Sequence, residues 1–179
     1  MTQKIIALVG ISGVGKTTFL QSLASEIAFQ HLTAGSLISL GASSAYEDRD
    51  KLRFLNVDEN QRHLIVGFHG ARDPQTALVI MDGHAVIDTG KGLEVIDTGV
   101  FAALGINALM HLVAEPAQIL SNRNNDSRRT RPELPERLLE EHQQTSIHAA
   151  QMVARSLGVP FLQVMADDVA PAKAFVQRL

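Results

Sequence analysis

The chain has 179 residues, 45% of them apolar and only 4% aromatic, with a net charge of −3 and no cysteine. That length suits one domain around one core, and the missing cysteines exclude disulfides, thiolate metal sites and cysteine nucleophiles. The charge offers no general attraction to nucleic acid or an anionic membrane, the few aromatics argue against base stacking, and no apolar run approaches the roughly 18 residues of a membrane span.

Lys4-Ile5-Ile6-Ala7-Leu8-Val9 is a short apolar run that predicts a buried parallel strand. It begins so early that no signal peptide is expected, and a soluble cytoplasmic protein is the simplest expectation. The next residues, Gly10-Ile11-Ser12-Gly13-Val14-Gly15-Lys16-Thr17, complete the pattern G-x-x-x-x-G-K-[ST]. Glycines there let backbone N–H groups turn inward around phosphate oxygens, where a Cβ would obstruct them. Phe19, Leu20, Leu23 and Ile27 recur at helical spacing, predicting a helix from Lys16 to Phe29 whose positive N-terminal end meets the phosphates. Strand, glycine loop and helix together predict a nucleoside triphosphate site. Gly10, Ser12, Gly13, Val14, Gly15 and Thr18 supply the cradle, Lys16 reaches the β and γ phosphates, and the Thr17 hydroxyl takes a place on Mg²⁺.

Residues 30–34 predict a second strand breaking at Gly35, followed by a helix capped by Ser36. Glu47, Asp48, Arg49, Asp50, Lys51 and Arg53 form a charge-dense run that balances to zero. It reads either as an exposed face of internal ion pairs or as arginines set for a second phosphate. Asp58 is the expected cap of a helix carrying Leu64, Ile65, Phe68 and Ala71, which Asp73-Pro74 ends. Residues 77–81 are the next buried strand, closing on Asp82-Gly83-His84. A carboxylate at the carboxyl end of a central strand is where a phosphate-loop protein sets its Mg²⁺-side acid. Residues 85–99 read as a loop containing Val-Ile-Asp-Thr-Gly twice, at 86–90 and 95–99.

A short helix through Phe101 and Leu104 leads to a strand at 108–113, and Glu115-Pro116 opens another helix. Arg123, Arg128, Arg129 and Arg131 against Asp126 make the following stretch the most basic in the chain, and it lacks apolar periodicity. It predicts a lid whose planar, permanently charged guanidiniums grip phosphate oxygens. Pro135 starts the longest helix, 136–157, which Gly158 ends and Pro160 keeps closed. A strand at 159–164 and a helix at 170–179 complete the chain. Five strands alternating with helices predict an α/β fold, a parallel sheet covered on both faces. The whole of 1–179 reads as one domain, with an insertion at about 35–75 on the acceptor side and a lid at about 123–134.

In this order and spacing, the chain resembles the archaeal-type adenylate kinases, nucleoside monophosphate kinases of the phosphate-loop class. The parts that carry the likeness are the loop at 10–17, Glu47-Asp48-Arg49-Asp50, Val79-Ile80-Met81-Asp82 and Thr89-Gly90-Lys91-Gly92. Asn125-Asp126, Arg129-x-Arg131 and Glu140-Glu141-His142-Gln143 continue it. The resemblance implies reversible transfer of the ATP γ-phosphoryl to AMP or a related monophosphate, with Mg²⁺ held by Thr17 and Asp82. It further implies Arg53, Arg72 and His84 on the acceptor, Arg123 over the adenine of ATP, and Arg129 and Arg131, with Lys16, on the group in flight. The chain departs from the family pattern at Leu93-Glu94-Val95-Ile96-Asp97, at Ile147 in place of an arginine, and at Ala34 in place of a hydroxyl residue.

Two other functions fit the same residues: a kinase of another small acceptor, such as a sugar acid or shikimate-like molecule, and a nucleotide-gated regulatory ATPase. A GTPase is disfavoured because no Asn-Lys-x-Asp segment occurs. The expected partners are ATP and a small acceptor, with no nucleic acid and no membrane; self-association stays open.

Overall fold

A computed structural model describes residues 3–42, 57–89, 91–126 and 134–179, the side chains of 57 and 58 excepted. The acidic-basic run with Arg53, the Asp58 cap, and Arg128, Arg129 and Arg131 fall outside the described residues and side chains.

Five parallel strands make the central sheet: β1 (Lys4–Val9), β2 (Gln30–Thr33), β3 (Leu78–Asp82), β6 (Ala108–Val113) and β7 (Phe161–Met165). Their order is β2-β3-β1-β6-β7, so β1 lies in the middle and the chain crosses over it. Such an order opens a crevice at the carboxyl ends of the strands, where ligands of open α/β sheets bind. Ile5, Ala7 and Val9 face one side of the sheet and Ile6 and Leu8 the other, all 4% exposed or less. That double burial is why the strands read as continuous apolar runs rather than alternations.

Helices α1 (Lys16–Ala24) and α7 (Ala170–Arg178) cover one face, joined there by Ile119 of α5 (Pro116–Asn125). Helices α2 (Ala34–Gly41), α3 (Val57–Ala71), α4 (Thr98–Leu104) and most of α6 (Glu136–Leu157) cover the other. Phe19, Phe68 and Phe101 are fully buried among them, each such side chain contributing roughly 1.5–3 kcal/mol by leaving water. Helices α2 and α3 meet without side-chain spacers. A Cβ at Gly41 would lie 1.9 Å from the His63 carbonyl oxygen, and one at Gly67 the same distance from that of Leu37.

The expected five-stranded α/β architecture is therefore present, with β6 and α6 at the limits read from the sequence. Four local expectations are corrected. Helix α1 stops at Ala24, not Phe29, because Ser25 and Glu26 turn the chain back toward β2. Thr33, not Ser36, caps α2, its hydroxyl accepting from the Ser36 N–H at 3.3 Å. Strand β7 begins at Phe161, because Val159 still closes the end of α6 by donating to the Ala154 carbonyl.

Residues 85–99 are not a loop: β4 (Val86–Asp88) and β5 (Leu93–Val95) pair antiparallel. The first Val-Ile-Asp-Thr-Gly supplies β4, whereas in the second Asp97 caps α4 through the Gly99 N–H at 2.7 Å. The Leu93–Asp97 departure from the family pattern thus builds a strand, buries Ile96 (7% exposed) and starts a helix.

Candidate active site

The phosphate-loop residues leave β1 at its carboxyl end and enter α1 without a break. Gly13 and Gly15 adopt φ of +92° and +104°, left-handed values that a side chain would resist. The N-terminus of α1 takes no side-chain cap and has no acidic residue in its first turn. Its first N–H groups and positive dipole end are therefore directed at the loop, the arrangement that binds phosphate. The Ser12 hydroxyl is buried within the loop and makes no hydrogen bond to the described residues. Val14 serves packing, at 1% exposed, whereas Thr17 and Thr18 are exposed.

Lys16 Nζ donates to the Gly10 carbonyl at 2.9 Å and lies 4.0 Å from Asp82 Oδ1. The register explains the proximity: Asp82 stands opposite Leu8, two residues before Gly10. The Gly10 carbonyl also receives His84 Nδ1 at 2.8 Å; a carbonyl only accepts, so Nδ1 carries the proton. His31 Nε2, from within β2, is 3.8 Å from Asp82 Oδ2. Burial pushes the Asp82 carboxyl upward, but pairing with His31 and the charges of Lys16 and His84 outweigh it and hold the group below the usual carboxylate range. Asp82 is thus an ionised carboxylate at neutral pH. Asp82 and the exposed Thr17 hydroxyl each offer oxygen, the donor atom that Mg²⁺ prefers.

The far side of the loop rests on α5. Asn122 Nδ2 donates to the Gly13 carbonyl at 2.8 Å, and the stem of Arg123 crosses Gly13 so closely that a Cβ there would sit 2.5 Å from Arg123 Cγ. Lys16, Asp82, His84 and Arg123 therefore gather around one loop. Arg72 does not join them. It follows α3 beside Asp73, whose neighbours Gln3 and Gln30 belong to the amino-terminal edge of the sheet, opposite the loop, and its guanidinium lies 6.0 Å from the Phe68 ring.

Ile147, where the family pattern has an arginine, is buried in the wall of a cavity of about 420 Å³ with Val113, Gln163 and Met165. That is the β7 side of the sheet, away from Asp82. Ala34 is partly buried at the start of α2. Sequence reasoning missed His31 and His111. The signal for His111 was a lone polar residue inside the apolar run 108–113.

Residues 9–140 match the family model described as AAA domain. The adenylate kinase of Thermoplasma acidophilum is 28% identical over 173 residues, covering 93% of this chain and 92% of that one. That of Thermoplasma volcanium is 28% identical, covering 93% of each chain, and that of Methanocaldococcus jannaschii 29% identical, covering 73% of each. Among solved structures, shikimate kinase from Acinetobacter baumannii in complex with shikimate superposes with a TM-score of 0.57 at 19% identity. It spans 99% of this chain and 90% of its own, a likeness of fold. No helix among the described residues is long and apolar enough to cross a membrane. The motifs, the topology and the family match agree: the chain belongs to the AAA domain family of phosphate-loop proteins and resembles its archaeal-type adenylate kinases.

Proposed function

We propose that the chain is a nucleoside monophosphate kinase, an ATP-dependent phosphotransferase that moves the γ-phosphoryl of ATP to AMP or a related monophosphate. The observation that supports this best is the convergence on one glycine loop of Lys16, the ionised Asp82 and the uncapped start of α1, in a chain similar to adenylate kinases over 93% of its length.

Phosphoryl transfer asks little covalent chemistry of a protein; positioning and charge stabilisation suffice. The loop N–H groups and the start of α1 hold the phosphates, and Lys16 has only to turn from the Gly10 carbonyl to reach them. His84 shares that carbonyl, so it steadies the loop when Lys16 turns away. Thr17 and Asp82 are the residues that would hold Mg²⁺, which when bound neutralises charge on the phosphate oxygens. Arg123, already against Gly13, is set to flank the nucleotide. Arg53 for the acceptor phosphate, and Arg129 and Arg131 for the group in flight, are assigned from the family resemblance. Arg72, at the opposite sheet edge, has no part in this reading.

The test is to incubate the protein with ATP and Mg²⁺ against a panel of nucleoside monophosphates, sugars and hydroxy acids, following ADP. Turnover that depends on AMP or another monophosphate is expected. Turnover with a phosphate-free hydroxy compound alone would replace this reading with a small-molecule kinase, and acceptor-independent hydrolysis with a regulatory ATPase.

A further inference from the structure

Helix α6 carries two buried polar residues three apart, on one face, that the proposed chemistry does not use. Gln143 (5% exposed) accepts from the Ala114 N–H at 3.1 Å and donates to the Ala114 carbonyl at 3.0 Å. Ser146 Oγ and His111 Nε2 lie 2.8 Å apart, both residues fully buried. The two pins straddle the end of β6, at residues 111 and 114. Between them stands Leu112, whose carbonyl oxygen would be 2.9 Å from a Cβ on Gly10. Val113 accepts from the Ala166 N–H at 2.8 Å, and Ala166 in turn would lie 3.6 Å from a Cβ on Gly15. The first and last glycines of the phosphate loop therefore both rest on the strand ends that α6 fixes.

We propose that Gln143, Ser146 and His111 are positioning residues that set the shape of the phosphate loop from behind. Gln143 uses both ends of its carboxamide on a single residue, so only one rotation and one axial setting of α6 satisfy it. A slip that brought His142 to Ala114 would leave a buried backbone group without its partner, and one that brought Gln144 there would keep the carboxamide pair but set Ile147 in place of Ser146 beside His111. Leucine at 143 fills the space and loses both bonds; alanine at 146 leaves the imidazole without its hydroxyl. His111→Gln can keep an amide near the position of Nε2, whereas His111→Leu cannot.

The inference rests on the loop being a triphosphate site, and its test separates the two. Binding of Mg²⁺-ATP and of inorganic tripolyphosphate is measured by titration calorimetry on wild type, Gln143→Leu, Ser146→Ala, His111→Gln and His111→Leu. Thermal unfolding and circular dichroism of each protein are recorded alongside. Ser146→Ala, Gln143→Leu and His111→Leu are expected to bind both ligands about tenfold more weakly, the scale on which removing an outer support acts. His111→Gln should stay within about twofold of wild type, a rescue that packing alone would not predict. Should Gln143→Leu not fold, Ser146→Ala and the two His111 variants decide the matter. Folded variants with wild-type affinity, or weakening for ATP but not for tripolyphosphate, would overturn the inference. Failure of the wild type to bind either ligand would instead overturn the triphosphate site.

Discussion

Between pH 6.5 and 4, acid should weaken the fold through His111 in particular. It is fully buried in the central sheet, bonded to Ser146, with Nδ1 reaching no hydrogen-bond partner among the described residues. Burial, reinforced by the nearby Lys16 charge and opposed only by a weak contact with the Leu112 backbone, pushes its pKa down from 6.5 to about 4. Above pH 6.5 the imidazole is neutral whether the chain is folded or not, so it has no effect on the pH dependence. Between 6.5 and 4 the unfolded chain binds the proton that the folded chain refuses, so stability falls with pH and the loss levels off below about 4. A difference of about 2.5 units at 1.36 kcal/mol each makes the full loss about 3 kcal/mol, of which about 2 kcal/mol is reached by pH 5. For a chain of this size, 2 kcal/mol lowers the melting temperature by about 4–8 °C. Urea unfolding of wild type and His111→Gln from pH 4.5 to 7.5 isolates the effect, since every other titrating group is common to both. The wild-type curve should fall relative to the variant as pH drops below 6.5. Parallel curves would refute the assignment of a buried neutral His111.

Lys16→Ala should lower turnover by about a hundredfold or more while the unfolding transition persists, because Lys16 brings charge to the loop rather than packing to the core; normal turnover in the folded variant removes Lys16 from the mechanism. Asp82→Asn keeps shape and one oxygen but removes the charge, so turnover should fall and the Mg²⁺ needed for half-maximal rate should rise. An unchanged Mg²⁺ titration would make Asp82 a turn residue. Gly13→Ala combines a left-handed φ with a Cβ 2.5 Å from Arg123 Cγ, so it should destabilise by roughly 1–3 kcal/mol and loosen ATP binding. Wild-type urea unfolding and ATP affinity would show that the loop tolerates a side chain there.

What the sequence disclosed follows physical range. The glycine loop, β6 and the 22-residue α6 are set by local turn chemistry and long periodicity, and their limits were legible. The hairpin was not, because its strands are three residues long and the two copies of Val-Ile-Asp-Thr-Gly are locally identical. Only the pairing of Val86 with Val95, and the freedom of Asp97 to cap a helix, make one a strand and the other a helix start. The site divides in the same way. Lys16 and Asp82 were visible from motif and strand end. The placement of Arg72 away from the loop needed the direction in which α3 runs past the sheet, and His31 and His111 matter only through partners 51 and 35 residues away, as Asp82 and Ser146 show.

A monophosphate kinase must hold two phosphate-bearing nucleotides end to end, and one ligand tests that most directly: two adenosines joined by five phosphates. It enters as one molecule and avoids the cost of ordering two, so its dissociation constant, measured by calorimetry with Mg²⁺, should lie far below that of ATP, with one ligand per site. An affinity no better than that of ATP would contradict an adenylate-type acceptor pocket.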